Sequence, residues 1–66
     1  MEKEYIIDFK ADGYNDDCLQ GIFNKKTVIK EVEELLKSRY GDSLKWFVIS
    51  ENSTNGVEEI YNSNNK

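Results

Sequence analysis

The side chains in this 66-residue chain that could do chemistry are mostly carboxylates: thirteen Asp and Glu stand against nine Lys and Arg, with one cysteine, Cys18, and no histidine. Without histidine, the Ser/His, Cys/His and His/metal arrangements have no general base or ligand to build on. Acid/base work would fall to paired carboxylates at Asp16-Asp17, Glu33-Glu34 or Glu58-Glu59, and such pairs need a cleft that drives their pKa values apart. A chain this short rarely builds one. Glu58 and Glu59, as strand neighbours, point to opposite faces. Glu31 and Glu34 sit three apart, and Glu33 lies four residues before Lys37, the spacing of a solvated helix face with modest ion pairing.

The other candidates are weaker. Asp12-Gly13-Tyr14-Asn15-Asp16-Asp17 is rich in oxygen ligands, but Gly13 and Tyr14 break the alternate-position register of a calcium loop, and turn chemistry accounts for the same residues. Cys18 has no Lys, Arg or His beside it to activate the thiol. Zinc would need three or four Cys and His ligands. Lys25, Lys26 and Lys30 are the only basic cluster, too small for a nucleic-acid footprint, and no glycine-rich phosphate cradle occurs. The expectation is a protein that is not an enzyme, with no catalytic residue, metal or cofactor.

The elements that would carry these residues are legible from periodicity. Residues 4–10 alternate, with Tyr5, Ile7 and Phe9 on one face and Glu4, Ile6, Asp8 and Lys10 on the other, as in a half-buried strand. Asp12-Gly13 suits a tight turn, after which residues 18–23 return as a weaker strand. Val28, Ile29, Val32, Leu35, Leu36 and Tyr40 follow helical spacing from Thr27 to Tyr40, with Asn24 or Thr27 as N-cap and Gly41 beyond the end. The run SLKWFVIS and the segment around Asn55-Gly56 predict a closing hairpin with a type I′ turn. The fold class is α+β, one amphipathic helix on a small antiparallel sheet, ββαββ or βαββ. Residues 1–66 form one domain, with 62–66 a polar tail expected to fray.

Parity assigns Val28, Val32, Leu35 and Leu36 to pack on Tyr5, Ile7 and Phe9 with Leu44, Trp46 and Val48. Ile6, Phe47 and Ile49, joined by Val57 and Tyr61 if Ile60 points inward, are then left on an uncovered apolar face, a surface for self-association or for a partner. One cysteine excludes an internal disulfide, so a core of this size is expected to gain stability by association, including as a homodimer. The opening MEKEYIIDF has too short an apolar run for a signal peptide or membrane span. The chain is expected to stay in the cytoplasm.

A net charge of −4 disfavours direct binding to nucleic acid or anionic lipid and favours a basic partner. Size, charge and layout together resemble the small acidic early proteins that bacteriophages make to take over host cells. The resemblance implies an inhibitor that blocks host nucleic-acid machinery by presenting carboxylates where phosphates would sit. The surface expected to do so comprises Asp12, Asp16 and Asp17 in the first turn with Glu31, Glu33 and Glu34 on the helix. The alternative is a scaffold or adaptor module that binds a partner, or itself, through its apolar sheet face.

Overall fold

A computed structural model describes residues 2–64. The elements run β1 (Glu2–Ala11), β2 (Cys18–Asn24), α1 (Val28–Tyr40), a single 3₁₀ turn (Gly41–Ser43), β3 (Leu44–Ser53) and β4 (Gly56–Asn62). This is an α+β fold of ββαββ order. The strands form one antiparallel sheet in the spatial order β2-β1-β3-β4, and α1 packs on one of its faces.

β1 is central because its alternation supplies an apolar inner face from Tyr5 onward: Tyr5, Ile7, Phe9 and Ala11 are buried. Each large side chain so removed from water contributes about 1.5–3 kcal/mol. α1 meets them with Val28, Val32, Leu36 and Tyr40, a buried stripe at four-residue spacing, while Leu35 stays at the exposed margin. The helix starts with Glu31 N–H donating to Thr27 C=O at 2.9 Å. Neither expected side chain caps it: the Thr27 hydroxyl donates to Glu31 Oε2 (2.6 Å), and Asn24 Oδ1 accepts Lys26 N–H in a local turn (2.9 Å). Gly41 ends it at φ +56°, a conformation that favours glycine.

The first connection is wider than a tight turn. Six residues separate β1 from β2, and the loop is held down by Tyr14, whose ring meets Tyr40 edge-on at 4.7 Å. The closing hairpin forms, but its turn is not type I′. That turn needs positive φ at both central residues, and here only Gly56 (φ +119°) has it, after Thr54 and Asn55. β4 runs to Asn62, and Ser63, the next residue of the tail, is joined to β3. Ser63 N–H donates to Phe47 C=O (3.0 Å) and Ser63 Oγ accepts Phe47 N–H (2.8 Å), while residues 65 and 66 lie outside the described residues.

The larger correction concerns β3. Phe9 pairs with Phe47 and Ile7 with Ile49, so Phe47 and Ile49 share the inner face and are buried, whereas Trp46 and Val48 turn outward opposite Lys10 and Asp8. Two bulges break simple parity. Ala11 pairs with Leu44 and Lys10 with Trp46, leaving Lys45 as an extra residue, so Leu44 and Phe47 both reach the core. Likewise Ile49 pairs with Tyr61 and Ser50 with Glu59, leaving Ile60 extra, so both Ile60 and Tyr61 pack inward.

This register ranks the substitutions. Ile49→Ala is expected to lower unfolding stability in urea by about 2–5 kcal/mol and Val48→Ala by well under half of that; equal losses would contradict the pairing. Tyr5 is fully buried and its hydroxyl has no hydrogen-bond partner among the described residues. Burial, then Glu51, pushes its pKa above the usual 10.0. A group whose folded pKa is raised favours the folded state below the unfolded value and withdraws that support as pH climbs past it. Tyr5→Phe is therefore expected to be at least as stable as wild type at pH 7, by up to about 1–3 kcal/mol, and to lose less stability above about pH 10. A lower melting temperature for Tyr5→Phe at both pH values would refute this.

Candidate functional site: the open face of the sheet

With α1 on the inner face, the other face of the sheet has no layer over it among the described residues. Even-numbered β1 residues and their cross-strand partners build it: Glu2 with Asn24, Glu4 with Ile22 and Asn52, Ile6 with Gln20 and Ser50, Asp8 with Cys18 and Val48, and Lys10 with Trp46. β4 adds Val57 and Glu59. Glu2, Glu4, Asp8 and Glu59 thus share this face with a single lysine, Lys10. Strand pairing fixes their backbone positions, and Asn52 Nδ2 donates to Glu4 Oε1 at 2.8 Å.

None of these carboxylates is in an ion pair among the described residues. The three pairs are Lys3–Glu51 (3.2 Å), Lys37–Glu33 (3.3 Å) and Lys45–Asp12 (3.2 Å). At the β3 side of the face lies a shallow depression lined by Asp8, Phe9, Lys10, Asp17, Trp46, Val48 and Glu59. Aromatic and aliphatic surface lies between three carboxylates there. That arrangement suits a side chain with an apolar stem and a cationic head, since an indole attracts cations and a carboxylate pairs with guanidinium or ammonium. A smaller depression between α1 and the sheet, lined by Glu33, Lys37, Lys45 and Tyr61 among others, carries both signs of charge.

The acidic residues singled out from sequence do not form one surface. Asp12 is neutralised by Lys45 and Glu33 by Lys37, and Glu31 accepts the Thr27 hydroxyl. Helical geometry puts Glu31 and Glu34 on one flank of the buried stripe and Glu33 on the other. Lys30, Lys37 and Arg39 balance these three glutamates, so α1 has no net charge. Asp16 and Asp17 are exposed in the β1–β2 loop, and only Asp17 reaches the depression. The apolar set is corrected too. Phe47 and Ile49 are core residues under α1, Tyr61 packs on Phe47 with rings 5.4 Å apart, and of the set Ile6 and Val57 remain on the open face.

The charged residues alternating with Tyr5, Ile7 and Phe9 mark Glu4 and Asp8 as surface carboxylates from sequence alone, whereas strand pairing is needed to bring Trp46, expected in the core, and Glu59 onto the same face. Among the described residues no three Cys, Asp or Glu side chains gather as a metal-binding group, and no helix is long and apolar enough to cross a membrane. No family model, curated protein or solved structure matches the chain.

Cys18 borders the same face. Partial desolvation, then the Asp8 carboxylate by charge and hydrogen bond, and Asp17, push its thiol pKa up. The thiolate is therefore scarce at neutral pH. Iodoacetamide at pH 8 is expected to modify Cys18 several-fold more slowly than a cysteine in a denatured chain, and Asp8→Asn is expected to speed the reaction. Equal rates in wild type and Asp8→Asn would remove the electrostatic cause.

Proposed function

We propose that this chain is a non-catalytic binding protein that docks its acidic open sheet face on a basic, nucleic-acid-binding protein and so excludes nucleic acid from it. The observation that carries the reading is the open face itself, with Glu2, Glu4, Asp8 and Glu59, rimmed by Asp17, outside every ion pair among the described residues and set on the sheet around Trp46. Carboxylates fixed in this way compete for the lysines and arginines that otherwise hold phosphates. An arginine lying on Trp46 between Asp8 and Glu59 would gain both a stacked surface and a charged partner.

The role fits a host-takeover inhibitor of bacteriophage type acting in the host cytoplasm, in agreement with the size, acidity and layout of the chain. Within this reading the helix is scaffold rather than interface, because its charges cancel.

The test is an affinity capture from bacterial lysate at low and high salt, using wild type and an Asp8→Lys, Asp17→Lys, Glu59→Lys variant with its fold checked by circular dichroism. Wild type is expected to retain a basic nucleic-acid-binding protein that high salt and added duplex DNA both release, and the triple variant is expected to lose it. Reversal of Glu31 and Glu34 is expected to change capture less than tenfold. Capture that survives the triple reversal, or that salt and DNA leave intact, would overturn the proposal.

A further inference from the structure

The two edges of the sheet are unlike each other. The β4 edge carries Glu58 and Glu59 and a bulge at Ile60, features that discourage strand addition. The β2 edge, CLQGIFN, has no charge, no proline and an unbroken register with β1; it is the longest uncharged stretch in a chain rich in charge. Ile22 on it is 68% exposed, and Leu19 and Phe23 are only partly covered at the border of the core.

The hydrogen-bonding phase of this edge follows from one bond. Phe9 N–H donates to Asp17 C=O at 3.0 Å, so Phe9 and every second β1 residue before it bond towards β2. Their partners Leu19, Gly21 and Phe23 bond inward. The N–H and C=O groups of Cys18, Gln20, Ile22 and Asn24 therefore point away from the sheet, and among the described residues only the Asn24 carbonyl is taken, by Thr27 N–H (3.0 Å).

We propose that β2 pairs antiparallel with β2 of a second copy, joining two four-stranded sheets into one of eight strands. Charge selects this occupant. Each copy carries a net −4, and two copies meet along β2 without opposing a single carboxylate, while an uncharged edge offers a basic partner no electrostatic reason to prefer it. Length selects it as well, because a pairing centred on Gly21 lets Gln20 exchange bonds with Ile22 of the second copy and lets Asn24 N–H donate to Cys18 C=O. A two-fold axis perpendicular to the sheet keeps both open faces on the same side. The inference does not depend on what the acidic face binds.

The test combines sedimentation equilibrium with amide exchange on the full chain. Wild type is expected to sediment at twice its 7.7 kDa chain mass, with the Gln20 and Ile22 amides exchanging at least about tenfold more slowly than in dilute, dissociated protein. Gln20→Pro removes an outward N–H without touching the β1 ladder, and Ile22→Lys places a charge at the edge. Both are expected to restore the single-chain mass with unchanged circular dichroism, and either one folded is enough to read the result. A wild-type chain that stays single up to about 1 mM, or a dimer whose Gln20 and Ile22 amides remain unprotected, would overturn the proposal.

Discussion

Two cross-strand pairs, Phe9 with Phe47 and Ile7 with Ile49, fix the register between the central strands, and the rest of the molecule follows from them. A one-residue slip would move every β3 side chain to the opposite face. With this register, the single helix finds a continuous aromatic and aliphatic floor, Tyr61 closes over Phe47, and Ser63 ties the end of the chain back to β3. The same register turns Trp46 and Val48 outward, next to Asp8, and so builds the depression on the other side.

Having only one helix also sorts the charge. The inner face of the sheet is spent on the core, and the helix surface balances its own glutamates with lysine and arginine. The net acidity of the molecule is consequently concentrated on the sheet face that nothing covers. On that face, backbone pairing spaces the carboxylates at strand intervals, so long flexible side chains need not search for an arrangement before meeting a partner.

Much of the fold was legible because strong local patterns produced it. The alternation of Tyr5, Ile7 and Phe9, the helical ladder from Val28 to Tyr40, and the turn residues around Asn55-Gly56 each pointed to the element that forms. β3 was ambiguous for a physical reason. Leu44, Trp46 and Val48 on one parity and Phe47 and Ile49 on the other are both apolar sets, and only pairing with β1 chooses between them. The bulges at Lys45 and Ile60 have no local signature in the sequence. Because the candidate site sits on the face left over by that choice, the reading of β3 changes the candidate site as well: grouping acidic residues by proximity in sequence gathers one set, and pairing across strands gathers another.

The outward turn of Trp46 has an optical consequence. The chain has one tryptophan, and it lies half-buried on the open face rather than in the core, which is lined instead by tyrosine and phenylalanine. Indole emission will therefore report what happens at the surface depression and respond weakly to loosening beneath the helix. Near-ultraviolet tyrosine ellipticity is the signal that follows the interior, so the two regions of this small protein can be observed independently without any added label.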